Sequence, residues 1–182
     1  RLWPMPDLTK PALHTLPHGE LLAKLRSLTN LRAVRDPASD TGWKIEIVAT
    51  DISTDVLEKA KSGLYTQFEI QRGLPIQMLV KYFTQVGETW QIVPEIRSMV
   101  QYKPLNLLHN LSQFGTFDVV FCRNVLIYFD QDTKVEVLAR LAKVMQPDGY
   151  LVLGAAETVV GLTDIFKPVP DQRGLYAPSG AG

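Results

Sequence analysis

Phe117-Asp118-Val119-Val120-Phe121-Cys122-Arg123-Asn124-Val125-Leu126-Ile127-Tyr128-Phe129-Asp130 is the stretch that decides the fold. An apolar run of strand length breaks off at a polar pair, Arg123-Asn124, and resumes as a second apolar patch carrying a tyrosine. A strand without polar alternation is one buried on both faces, the condition of a parallel sheet in an α/β protein. Ligands of such sheets bind beyond the carboxyl ends of the strands, where Arg123 and Asn124 fall. The run predicts a fold class and, with it, the edge that carries a site.

Downstream, Val135, Leu138, Leu141, Ala142 and Met145 recur at helical spacing, with Pro147 and Gly149 as the stop. Residues 150–153 form a further apolar run, and two short runs, 165–169 and 174–177, predict an antiparallel pair in the tail. Upstream, 45–49 reads as a strand ending at Thr50-Asp51. Ser53 or Thr54 then caps a helix with Val56, Leu57 and Ala60 on its apolar face, and Gly63 stops it. Gly73-Leu74-Pro75 opens another helix, with Ile76, Leu79, Val80 and Phe83 on one face. The β-prone runs 90–93 and 99–102, on either side of Pro94-Glu95, predict a small antiparallel excursion. Strands alternating with helices give an α/β sheet with helices on both faces. Strands at 45–50, 117–122 and 150–154 are expected to be central and mutually parallel.

Residues 1–43 differ in character. Pro4, Pro6, Pro11 and Pro17 crowd the start, and prolines at 4 and 6 are incompatible with a central strand because each removes a ladder donor. Leu21, Leu22, Leu25, Leu28 and Leu31 predict one amphipathic helix, followed by a loop over 36–42. The expected division is thus 1–43, an atypical start plus one helix, and 44–182, the main domain.

The 182 residues suffice for one domain with a real core. Nineteen basic and nineteen acidic residues cancel, so no global field argues for nucleic acid or an anionic membrane. A single cysteine, Cys122, excludes an intrachain disulfide and a cysteine-rich metal site. No apolar run reaches membrane-spanning length, and the start lacks the layout of a signal peptide, so a cytoplasmic location is expected.

Three positions at predicted strand ends are candidates for ligand contact. Asp51 offers two oxygens to the vicinal hydroxyls of a ribose, or it caps the helix that follows. Asn106, between Pro104-Leu105 and Leu107-Leu108, offers the donor and acceptor that read an adenine edge, or it closes its own turn. Arg123 and Asn124 end a buried strand, where polar groups need partners, from a ligand or from the sheet edge itself. Tyr128 reaches toward the same cleft, or packs as an aromatic core residue. Cys122 reads as a small buried hydrophobe. No Ser/His/Asp arrangement, metal cluster, Gly-x-Gly-x-x-Gly or P-loop lysine is present, and no metal is expected. Methyl transfer from a sulfonium to a carboxylate fits such a site. A glutamate, with a pKa of about 4.3, is already a nucleophile at neutral pH and needs no general base.

From about Lys44 to Ala177 the chain resembles the CheR-type chemotaxis protein-glutamate O-methyltransferases. The resemblance rests on Ala49-Thr50-Asp51-Ile52-Ser53, Gly63-Leu64-Tyr65, Arg72-Gly73-Leu74-Pro75, Asn106-Leu107, the signature Phe121 to Asp130, and Pro147-Asp148-Gly149-Tyr150-Leu151. Gly154-Ala155-Ala156-Glu157-Thr158 is similar to the family's final sheet segment. The resemblance implies a Rossmann-like, S-adenosylmethionine-dependent methyltransferase fold. Its sheet is mostly parallel with an antiparallel last strand, and about 70–102 form a small antiparallel β-subdomain insert. It further implies that Asp51 binds the ribose, Asn106 and Leu107 the adenine end, and Cys122 and Arg123 the methionyl part. Tyr128 would lie near the transferring methyl, with Arg123 and Tyr128 as the catalytic residues and S-adenosylhomocysteine as the product. The implied partner is the cytoplasmic domain of a methyl-accepting chemoreceptor or a related signalling protein.

Two departures from the family pattern stand beside this. Arg1-Leu2-Trp3 begins like the family's first strand but continues Pro4-Met5-Pro6-Asp7, without the glycine that lets a backbone approach the cofactor. The N-terminal helical domain of the family is not expected in this chain, and the connection from Phe83 to Trp90 is short for docking a receptor's terminal pentapeptide. A catalytically silent interaction domain and a small-molecule methyltransferase are the alternative functions.

Overall fold

The computed structural model describes residues 29–35, 43–71 and 74–180. The described chain begins with β1 (Thr29–Arg35) and β2 (Trp43–Asp51), then α1 (Thr54–Ser62), β3 (Leu64–Thr66), α2 (Gln67–Gln71) and α3 (Ile76–Tyr82). It continues through β4 (Phe83–Val86), β5 (Thr89–Ile92), α4 (Pro94–Arg97) and β6 (Val100–Pro104). The second half holds β7 (Phe117–Cys122), α5 (Gln131–Lys143), β8 (Met145–Leu153), β9 (Phe166–Pro168) and β10 (Leu175–Pro178). Short 3-10 turns at Ser112–Phe114 and Leu126–Tyr128 flank β7.

The strands form a seven-stranded sheet in the order β6-β2-β1-β7-β8-β10-β9 and a three-stranded sheet in the order β3-β5-β4. β2 pairs with β6 in parallel, as does β7 with β8. β1 is antiparallel to both β2 and β7, so β6, β2, β7 and β8 all run the same way. β10 is antiparallel to β8 and to β9. Five of the seven strands therefore share one direction, although only two of the six pairings are parallel, and the three apolar runs are interior strands of that direction. The tail runs pair antiparallel, as the sequence indicates.

Burial follows the period of two that a sheet imposes. Val48, Val120, Cys122, Leu151 and Leu153 face the main core, which Val137, Leu138 and Leu141 of α5 complete. Ile45, Ile47 and Phe121 pack on the other face with Val119 and Val152. The small sheet has its own core, built on Tyr82, Phe83, Ile92 and Ile96.

Capping chemistry sets the ends of α1. Ser53 accepts from the Val56 N–H at 3.3 Å, and Gly63 takes the left-handed conformation at φ 64° that lets its N–H reach back to Ala60 O. Lys59 on this helix holds the Glu69 carboxylate of α2 at 2.7 Å, and the Thr66 N–H donates to it as well. These bonds, that of Lys59 first, pull Glu69 down to a pKa of about 2 from an ordinary 4.5. With the folded value below the unfolded one, the link is at full strength above pH 4.5 and is lost as pH falls through 2. Lys59→Met is expected to move the Glu69 titration, followed by side-chain carboxyl NMR, back up toward the ordinary value. An unchanged midpoint would deny Lys59 this role.

Several expectations are corrected. Leu31, placed in a helix by leucine spacing, lies in β1, where pairing with β2 and β7 supplies partners for backbone groups of both neighbours. Met145 is not the last residue of a helix. α5 ends at Lys143, the Val144 N–H turns back to Leu141 O, and Met145 opens β8 opposite Phe117. Pro147 is tolerated inside β8 because the register shifts there, four residues bulging between the Phe117–Met145 and Val119–Tyr150 pairs. The run at 99–102 is not an antiparallel excursion, for β6 joins the main sheet parallel to β2, while 90–93 pairs through β5 with β3 and β4. On α3 the buried residues are Leu79 and Tyr82, and Ile76 and Val80 face outward. The expectations for residues 1–28, including the prolines at 4 and 6 and the loop at Pro4 to Asp7, lie outside the described residues.

Candidate functional site

Because β2, β6 and β7 run the same way, Asp51, Pro104 and Cys122 end on one edge of the sheet. The chain order reverses about β1 and β7, which is where doubly wound sheets open a crevice at their carboxyl ends. A small concavity lies along β7, lined by Thr50, Leu105, Leu107 and Cys122 toward this edge and by Phe117 and Val144 at the other end of the strand. Its wall is nearly all apolar, and its volume of about 20 Å³ is too small for a nucleobase, so it is a packing void beside the edge.

Asp51 and the β6 end are tied directly, since Leu105 N–H donates to Asp51 O at 2.9 Å. The Asp51 carboxylate is half-buried and accepts from the Ser53 N–H at 2.8 Å through Oδ1. It thus closes a turn, while Ser53 caps the helix. Asn106 also closes its own turn, with Oδ1 accepting from the Leu108 N–H at 2.9 Å. Leu107 and Cys122 line the concavity; Asp51, Asn106 and Arg123 adjoin residues that do. Tyr128 is 79% exposed, so it stands on the protein surface rather than in the core. Burial, with the Glu157 carboxylate as a second cause, pushes the Cys122 thiol up to about 12, so this cysteine is a neutral hydrophobe.

Arg123 is half-buried, and its Nε is a buried donor without a hydrogen-bond partner. An unpartnered buried donor is costly, and here it belongs to the residue beside the lining Cys122. A carboxylate placed at this edge would satisfy it with the planar geometry that a guanidinium favours. A half-buried aspartate oxygen and an unsatisfied guanidinium nitrogen on one sheet edge suit the ribose and the amino-acid tail of an adenosyl group.

One functional residue escaped the sequence reading. Glu157 is only 8% exposed, and its carboxylate accepts four backbone N–H groups. Asn124 N–H and Gly154 N–H donate to Oε2 at 2.7 Å each, and Val125 N–H and Leu126 N–H to Oε1 at 2.8 Å each. Gly154–Thr158 is not a sheet segment, since β8 ends at Leu153 and a turn brings Glu157 under the loop after β7. A lone carboxylate just past an apolar strand was the available signal.

Fold and edge together define an α/β nucleotide-binding domain of the Rossmann-like methyltransferase type, with its crevice at the switch in strand order. Residues 30–175 match the family model described as CheR methyltransferase, SAM binding domain, and this chain belongs to that family. It is 43% identical over 131 residues to chemotaxis protein methyltransferase Cher2 of Pseudomonas putida, covering 71% of this chain and 48% of that protein. It is 42% identical over 132 residues to chemotaxis protein methyltransferase 1 of Pseudomonas aeruginosa, with 72% and 48% covered. The Escherichia coli chemotaxis protein methyltransferase is 43% identical over 120 residues, with 63% and 41% covered. The chain spans about half the length of the curated relatives it matches.

Proposed function

We propose that this chain is the cofactor-binding part of a protein-glutamate O-methyltransferase that acts in the cytoplasm on the signalling domain of methyl-accepting chemoreceptors. The observation that carries this is the convergence of Asp51, Leu107, Cys122 and Arg123 on one sheet edge of a domain in the CheR family. No helix among the described residues is long and apolar enough to cross a membrane. The methyltransferase domain is read as the seven-stranded sheet from β1 on, rather than from residue 44, with the small sheet β3-β5-β4 as an arm for protein contact.

S-adenosylmethionine supplies a methyl group on a positively charged sulfur. The second Asp51 oxygen would receive ribose hydroxyls, Leu107 and Asn106 would lie beside the adenine, and Arg123 would hold the amino-acid carboxylate. Tyr128, on the surface at the end of the Leu126–Tyr128 turn, meets the incoming glutamate, whose ionised carboxylate needs alignment and loss of water rather than a base.

Calorimetric titration of the chain with S-adenosylmethionine and S-adenosylhomocysteine tests the reading. Asp51→Ala is expected to weaken binding by about 1–3 kcal/mol, the cost of leaving ribose hydroxyls unpaired. Tyr128→Phe is expected to lower turnover on a receptor cytoplasmic fragment while leaving cofactor affinity nearly unchanged. Absence of cofactor binding by the unaltered chain would overturn this function. It would favour the silent interaction domain, a reading that the reversed direction of β1 in the middle of the sheet also supports.

A further inference from the structure

We propose that Glu157 is a positioning residue for this site: its carboxylate fixes the loop from Arg123 to Tyr128, and through it delivers the Arg123 guanidinium and the Tyr128 hydroxyl together. The inference rests on the function proposed above. It assigns a role to a residue that touches neither cofactor nor substrate.

The N–H groups of Asn124, Val125 and Leu126 follow one another along the chain just beyond β7, and all three donate to Glu157. Successive N–H groups converging in this way form an anion-binding concavity. The chain fills it with a carboxylate of its own. Asn124 has φ 57°, a left-handed conformation that asparagine adopts more readily than most non-glycine residues. The Leu126 side chain, 1% exposed, anchors the far end of the loop in the core. Between that anchor and Cys122, Glu157 sets the path of the backbone.

The chemistry selects a carboxylate. Each oxygen accepts two N–H groups, and glutamate offers acceptors only. An amide would turn an NH2 group on two of the four donors. A purely scaffolding purpose is poorly matched to this geometry, since β7 and β8 are already joined by ladder pairs from Val119–Tyr150 to Cys122–Leu153. What Glu157 adds is the shape of the loop beyond the ladder.

The test compares the unaltered chain with Glu157→Gln and Glu157→Asp, using amide hydrogen exchange and S-adenosylhomocysteine titration. In Glu157→Gln, exchange at Asn124, Val125 and Leu126 is expected to accelerate about tenfold or more, against less than about threefold at Val119, Val120 and Phe121. S-adenosylhomocysteine should bind about tenfold more weakly. On an Arg123→Ala background the same change should add less than about threefold, because the two residues act through one contact. Should Glu157→Gln fail to fold, Glu157→Asp provides the same comparison, since it keeps both oxygens but falls one methylene short. Unchanged loop exchange, or an equal loss of affinity with and without Arg123, would overturn the assignment. If the unaltered chain binds no S-adenosylhomocysteine, the function reading fails separately, and exchange alone decides whether Glu157 holds the loop.

Discussion

Gly154→Ala is expected to destabilise the protein by about 2–3 kcal/mol, the range for overpacking a tight site combined with loss of a buried hydrogen bond. A Cβ at this position would lie 2.5 Å from Asn124 Oδ1, 2.7 Å from Glu157 Oε2 and 3.0 Å from Asn124 N. The Asn124 side chain is exposed and free to swing aside. Glu157 Oε2 has no such freedom, because the N–H groups of Asn124 and Gly154 hold it. The damage should therefore spread from stability to the cofactor edge. Gly180→Ala, where nothing lies within 4 Å, is the matched control and should be close to neutral. Thermal unfolding of the two variants side by side measures the difference. Equal midpoints would mean that the loop gives way at little cost.

Leu138→Ala is expected to cost about 2–5 kcal/mol. Leu138 is fully buried on α5, in the core that also includes Val120 and Cys122 of β7 and Leu151 and Leu153 of β8. The void left behind would sit beneath the strand that carries Arg123, so the loss falls on the element that presents the site. Urea unfolding should give a lower midpoint with an unchanged slope. Val56→Ala on α1, at a residue 51% exposed, should stay within roughly 0.5 kcal/mol and shows what an aliphatic truncation to alanine does with little burial. A Leu138→Ala chain as stable as the Val56→Ala chain would contradict the packing described here.

The parallel core was legible because double burial erases polar alternation, and 117–122 carries that mark almost without interruption. Ser53 and Gly63 were legible because capping is a local matter of one side chain or one backbone angle. The common edge of Asp51, Cys122 and Arg123 followed from strand direction, whereas Leu107 reaches it through β6, which the sequence placed in an antiparallel excursion. What stayed hidden was set by distant partners. The leucines before residue 32 repeat at helical spacing, yet Leu31 pairs with Ile47 and Val119 from strands well apart in sequence. Met145 continues the helical repeat of α5, but pairing with Phe117, ahead of the bulge, takes it into β8. Glu157 stayed hidden because three of its four donors lie 31 to 33 residues earlier, so a lone carboxylate past a strand does not reveal which backbone it caps.

The direction of β1 has an electrostatic consequence. In a parallel sheet each strand leaves by the carboxyl edge, and a helix starting there turns the positive end of its aligned peptide dipoles on a bound anion. β1 occupies the middle of the sheet but leaves by the opposite edge, with Thr29 beside Ala49 near the end of β2 and Arg35 beside Trp43 at its start. The central strand thus brings no dipole of that sense to the crevice. α1 and α5, which follow β2 and β7, still start at this edge, so the centre lacks one helix end, and the Arg123 guanidinium is the positive group that a side chain places beside it. A guanidinium on a loop that depends on one buried carboxylate then does what a helix end would do in a fully parallel sheet.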